Sequence, residues 1–214
     1  MAGCTGSFRA ARLIAFNLRE AGKLLRTECA RSVSVLRNAV RDNEASSNGS
    51  QMTAQTRDQI ADRIAAELGH SFEGELVAGG HYAPVVRDGN TLYTSGQVPR
   101  VGTTVVVTGR VGEQVSLDKA REGAQICALR CLTLLRRELG SLDGIDKLLR
   151  VGVFVQCTAD FTQQSEVADA ASDLLHRVFG DAGVHVRTAV GVYQLPKNAS
   201  VELEMTVAAK GGEA

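Results

Sequence analysis

Between His185 and Met205, apolar and non-apolar residues alternate with period two on either side of Pro196. A half-covered strand can bury such a pattern and a helix cannot. The stretch predicts two strands separated by a Pro-Lys-Asn turn. On the second strand Val201, Leu203, Met205 and Val207 share one face, and Glu202 and Glu204 the other. On the first, Val186, Thr188, Val190 and Val192 share one face, and Arg187, Ala189, Gly191 and Tyr193 the opposite one. That last face lacks the Lys, Glu and Thr of a water-facing side, so something is expected to approach it closely. A guanidinium on a strand suits a small carboxylate, which it holds by two parallel hydrogen bonds. An Arg–Glu ion pair at a subunit contact satisfies the same spacing. If the Pro196 turn made a tight hairpin, about five residues at roughly 3.3 Å each would separate Arg187 from Glu202. A site using both then needs a second chain or a connection that is not a hairpin.

The rest of the chain supplies the partners of these strands. Residues 1–51 form an extension. Its first 41 residues hold eight Arg or Lys against two acids. Ile14, Leu18, Ala21 and Leu25 make one helical stripe there, and Arg12, Arg19, Lys23 and Arg26 the opposite one. A mitochondrial presequence has this character, as does an uncleaved tail or a reading frame whose true start is Met52. Residues 52–79 are expected to hold a short amphipathic helix over 53–68, closed by Gly69, and then an irregular connection. In the domain proper, 80–214, strands are predicted on either side of Asp88-Gly89, a hairpin dipeptide, and a third over Thr103–Val107. Ser116 caps a helix that stops at Gly140. A strand follows over Leu148–Cys157, and a second long helix from Asp160 to Gly180. The order β-β-β-α-β-α-β-β implies an α+β fold in which two helices cover one face of a single sheet. The uncovered face, assigned Arg187, Ala189, Gly191, Glu202, Glu204, Gly152, Phe154 and Gln156, is expected to be buried against copies of the chain in a closed ring.

Composition excludes several functions. Formal charge is zero and there is no Trp, so neither a basic field nor a set of stacking rings favours nucleic acid. The five cysteines form no CxxC and the histidines have no metal-ligand spacing, so no metal site and no disulfide framework is expected. Cys127 and Cys131, one helical turn apart, are expected to pack inertly. His176 is placed on the solvated side of its helix. Tyr93, Tyr193 and Phe154 are assigned to sheet packing. No apolar run is long enough to span a membrane.

From about Gly80 to Ala208 the chain resembles the reactive intermediate deaminase family (RidA/YjgF, also called endoribonuclease L-PSP). The resemblance rests on Tyr82, the block Gly89-Asn-Thr-Leu-Tyr-Thr-Ser-Gly-Gln-Val-Pro99, Asp160-Phe161, the Arg187 strand, and Leu195-Pro-Lys followed by Val201-Glu-Leu-Glu204. It implies a chorismate-mutase-like fold and a homotrimer with clefts between subunits. The implied activity is hydrolysis of enamines and imines of the 2-aminoacrylate type to 2-keto acids and ammonia, with no cofactor. By the same resemblance Arg187 would clamp the substrate carboxylate, Glu202 would activate water and Tyr82 would close the pocket. Ser95 and Gly96 would line it, beside Ser165 and the backbone around Ala189. Ala189 offers no hydroxyl or thiol where the family often has one, and Ser165 stands where Asn is frequent. Those departures leave open a trimer that binds a small carboxylate without turning it over. Ribonuclease activity, recorded in the older family name, is disfavoured by the charge and the scarcity of aromatics.

Overall fold

The computed structural model describes residues 55–70 and 80–211. The chain divides into two units, 1–53 and 54–214, and every described residue lies in the second. The expected presequence and the irregular stretch 71–79 lie outside the described residues.

Helix α1 (Arg57–Glu67) begins at Thr56, whose hydroxyl accepts from the Gln59 amide while the Gln59 side chain answers the Thr56 N–H. This reciprocal cap satisfies two otherwise orphaned donors and sets the start of the helix. The predicted hairpin forms as β1 (Val85–Asp88) and β2 (Thr91–Thr94), with Gly89 at φ 56° in the two-residue turn. The expected third strand is instead a separate two-stranded ribbon, β3 (Arg100–Val101) with β4 (Thr104–Val105). Helix α2 (Leu117–Leu139) runs from the Ser116 cap to Gly140 at φ 79°. Strand β5 (Ile145–Gln156) starts three residues earlier than its apolar run suggested. Helix α3 (Gln164–Phe179) starts four residues later than Asp160, after a turn in which the Phe161 N–H donates to the Thr158 carbonyl.

Strands β6 (Val186–Val192) and β7 (Val201–Ala209) are not a hairpin. The sheet order is β1-β2-β7-β5-β6, so β5 lies between them, parallel to β6 and antiparallel to β7. The chain crosses the end of β5 in an arch that contains Lys197 and Asn198 at positive φ. Gln156 at that end secures the arch: its Oε1 accepts from the Leu195 N–H at 2.8 Å and its Nε2 donates to Asn198 Oδ1 at 2.6 Å.

Helices α2 and α3 cover one face of the sheet. Val151, Val153 and Val155 of β5 and Val201, Leu203 and Met205 of β7 are buried beneath them. Ala120, Ala124, Cys127, Ala128 and Cys131 of α2 are buried as well, their small side chains letting the helix lie close to the sheet. Burial pushes the Cys127 thiol up and the Cys131 thiol up to about 12, which makes both inert.

Register corrects the expected faces of β6. Arg187, Ala189 and Gly191 pair with Val151, Val153 and Val155, so they lie on the helix-covered face rather than with Glu202 and Glu204. The close approach inferred from their small size is made by α3 of the same chain. A Cβ on Gly191 would stand 2.9 Å from Cys157 Sγ and 3.2 Å from Gln164 Nε2. Conversely Val186 and Val190, 68% and 39% exposed, share the open face with Val86 and Tyr93. Phe154 packs against Val98, Leu195 and Ala199 as expected, and His176 is exposed. Tyr193 is 86% exposed with the Arg110 guanidinium over its ring, so it takes no part in sheet packing.

Candidate functional site

The sheet presents the expected site residues in two groups. The first gathers at the junction of β2 and β7. Gln97 and Leu203 exchange backbone hydrogen bonds at 2.8 and 3.0 Å, which draws the Ser95-Gly96 turn alongside Glu202. A Cβ on Gly96 would overlap the Glu202 carboxyl, so only glycine admits it there. The Ser95 N–H donates to the Pro84 carbonyl at 2.9 Å, and Tyr82 stands two residues before that proline. Partial burial and the neighbouring Glu204 charge raise the Glu202 pKa above the usual carboxylate range. A carboxylate so treated binds a proton more readily than an exposed one, as a general base must.

Arg130 of α2 and Gln97 went unremarked as functional residues in the sequence. Arg130 is 3% exposed. Its Nη1 donates to the Arg100 carbonyl at 3.0 Å and its Nη2 to Gln97 Oε1 at 3.2 Å. Gln97 Nε2 in turn reaches the Ser95 hydroxyl at 3.0 Å, the Gly96 carbonyl at 3.1 Å and the Ser95 carbonyl at 3.3 Å. The signal was present: Arg130 is the one charge in the run Ile126-Cys-Ala-Leu-Arg-Cys-Leu132.

The second group stands at the β6 edge. Arg187 Nη1 donates to Asp169 Oδ1 at 2.8 Å and to Ser172 Oγ at 2.9 Å, both on α3. Its Nη2 lies 3.5 Å from the Ser165 carbonyl, a weak contact. The Ser165 contribution is thus its backbone oxygen. Ser172 Oγ also lies 3.2 Å from His185 Nε2, and His185 Nδ1 lies 2.6 Å from the Gly183 carbonyl. The carbonyl fixes the proton on Nδ1 in the neutral ring. Beside Arg187 opens a cleft of about 440 Å³ lined by Ser172, Asp173, His176, Gly183, Val184 and His185. Arg187 therefore has an acidic neighbour and vacant space together. Ala189 sits two residues along the same face, packed against the core.

Within one chain the two groups do not meet. Arg187 and Glu202 lie on opposite faces, two strands apart, with Arg187 level with Met205. Among the described residues no three His, Cys, Asp or Glu side chains are arranged to hold a metal ion, and no helix is long and apolar enough to cross a membrane.

A five-stranded sheet with helices on one face, and a glutamate packed against a glycine turn at its margin, defines a small α+β domain. The family model for endoribonuclease L-PSP matches residues 72–209, and the chain belongs to that family, the RidA/YjgF proteins. Protein TCP17 of Trypanosoma cruzi is 36% identical over 149 residues, 68% of this chain and 93% of that protein. A 2-iminobutanoate/2-iminopropanoate deaminase of Dermatophagoides farinae is 30% identical over 129 residues, 60% of this chain and 85% of the deaminase. The crystal structure of an Agrobacterium tumefaciens protein of unknown function aligns with a TM-score of 0.64 at 34% identity, covering 72% of this chain and 94% of that one.

Proposed function

We propose that the protein hydrolyses reactive enamines and imines of the 2-aminoacrylate type to 2-keto acids and ammonia, at sites completed between copies of the chain. The carrying observation is the Glu202 carboxyl, part-buried against Gly96 with a raised pKa. The relative named as an imine deaminase supports the same chemistry. The second copy is supported by the open sheet face, where Val86, Tyr93, Val186 and Val190 are exposed together. A ring of three copies would cover that face and bring an Arg187 edge to a Glu202 corner.

In that site the edge of the Arg187 fork not used by Asp169 holds the substrate carboxylate. The enamine first takes a proton from solvent water at its terminal carbon and becomes the iminium ion. Water then adds to the electrophilic carbon: its oxygen forms the new C–O bond, the C=N electrons pass to nitrogen, and Glu202 takes the water proton. Return of that proton to nitrogen makes ammonia the leaving group. The carbinolamine expels it as its hydroxyl proton passes to Glu202 and then to solvent and the C=O bond forms. Orientation and one general base suffice for so reactive a carbon. Tyr82 closes the pocket, Ser95 and Gly96 line it, and the Ala189 backbone faces the imine. No metal or organic cofactor enters these steps.

An amino-acid dehydratase that generates 2-aminoacrylate, coupled to the purified protein, tests the reading. The protein should accelerate keto-acid formation above the uncatalysed rate. Arg187→Ala should lose roughly 10- to 10²-fold in kcat/KM, the worth of charge-assisted hydrogen bonds to one carboxylate. Equal rates for the two proteins would remove the assignment. The second reading is a trimer that only binds small carboxylates. It is favoured by Ala189, which sets no hydroxyl or thiol beside Arg187 on that face. Calorimetric binding of 2-ketobutyrate with no turnover would select it.

A further inference from the structure

Arg130 is a buried cation without an anion. Among the described residues no carboxylate pairs with it, its Nε has no hydrogen-bond partner, and burial together with the nearby Arg100 lowers its pKa. An unbranched apolar side chain of similar length would fill this buried place on α2 without desolvating a charge. Packing therefore does not account for the arginine. The hydrogen bonds do, since both of its bonded nitrogens go to the segment 97–100.

We propose that Arg130 is a positioning residue: it fixes the Gln97 side chain, and Gln97 fixes the Ser95-Gly96 turn against which the Glu202 carboxyl lies. The amide has only one consistent orientation. Its Oε1 faces the guanidinium donor, and its Nε2 faces two carbonyls and a hydroxyl oxygen. Turning it over would set NH2 against a guanidinium and an oxygen against two carbonyls. Ser95 Oγ accepts from Gln97, so its own hydrogen remains to be donated to a ligand. The catalytic part of the inference rests on Glu202 acting as the base proposed above. The structural part, that Arg130 holds the turn, stands without it.

Two variants separate positioning from simple structural support. Arg130→Met removes the donors and the buried charge. Gln97→Glu keeps an acceptor for Arg130, adds an ion pair, and loses the NH2 that holds the turn. In both, amide hydrogen–deuterium exchange over residues 95–97 should speed up about tenfold or more. Arg130→Met, which removes a buried charge, should leave Tm level or higher. Gln97→Glu, which sets an oxygen against two carbonyls, should lower it. Loss of base alignment should lower kcat about tenfold or more and change KM by less than about threefold. Unchanged exchange over 95–97 in both variants overturns the proposal. So does a fall in Tm with kcat per folded molecule retained. Should Arg130→Met fail to fold, Gln97→Glu decides alone. A wild-type protein without turnover would defeat the deaminase reading, and the exchange measurement would still decide whether Arg130 holds the turn.

Discussion

Glu202 and Arg187 stand on two strands of one sheet with β5 between them, and the chain treats them in opposite ways. The glutamate corner is complete within one chain. Its turn is tied by backbone bonds to β7, and a buried arginine stands behind Gln97. The arginine edge is held from one side only. Its side chain is 22% exposed, and its carboxylate partner, Asp169, is 53% exposed. The difference matches the roles proposed for the two groups. A general base must keep its place to a fraction of an ångström, whereas a clamp must keep a fork of its donors available for an incoming anion.

The largest expected effect breaks the glutamate corner. Glu202→Gln keeps the shape and removes the proposed base, so kcat should fall about 10²- to 10⁴-fold. Because the folded pKa of Glu202 is raised, its contribution to stability is present below the unfolded value and lost as pH rises through the folded one. Near neutral pH the ionised carboxylate is therefore a burden. Glu202→Gln should melt higher than wild type there, with the two converging below the usual carboxylate range. In wild type, the acid limb of kcat should lie above that range as well. Thermal melts and rates across pH check both signs. A variant that is less active and also less stable at neutral pH would mean that Glu202 holds the structure rather than serving as a base.

Much of this was legible in the sequence, and what was not has particular causes. The cap at Ser116, the stop at Gly140 and the Asp88-Gly89 hairpin are local chemistry, and each stands where the residues place it. The faces of β6 were not local. Alternation says which residues share a face but not which face the helices cover. Four valine and threonine positions were thus expected to face the helices, whereas Arg187, Ala189 and Gly191 do. As an edge strand under the flank of α3, β6 needs small residues inward more than apolar ones. The late start of α3 also escaped, because Gln163 precedes the helix without a capping hydrogen bond to mark it. Arg130 was hidden by habit: an arginine in a helix is usually on the solvated side, and only its run of apolar neighbours said otherwise.

Gly96→Ala damages the glutamate corner without touching a charge. The atoms that a new Cβ would meet all belong to the far end of the flexible Glu202 side chain, which can swing away. The stability cost should thus be near the low end of the overpacking range, about 1 kcal/mol. The catalytic cost should be larger, roughly 10- to 10²-fold in kcat, since the carboxyl must leave its place. A calorimetric melt beside a rate measurement separates the two. A large loss of stability with activity retained would show that the carboxyl and the turn are not coupled.

The smallest effect lies at the arginine edge and reverses sign. Asp169→Asn keeps an oxygen at the position that accepts from Arg187 Nη1, so the fork stays roughly where it is while the competing negative charge is removed. An ion pair with so exposed a carboxylate is worth about 0.2–1 kcal/mol, which corresponds to at most about fivefold in binding. The released attraction should go to the ligand. KM for a carboxylate substrate should fall by up to about fivefold, kcat should hold, and the gain should shrink as salt rises. Removing the same charge should lower stability by less than about 1 kcal/mol. If KM rises instead, Asp169 orients the guanidinium rather than competing for it. The arginine edge would then be as finely positioned as the glutamate corner, and the contrast between them would fail.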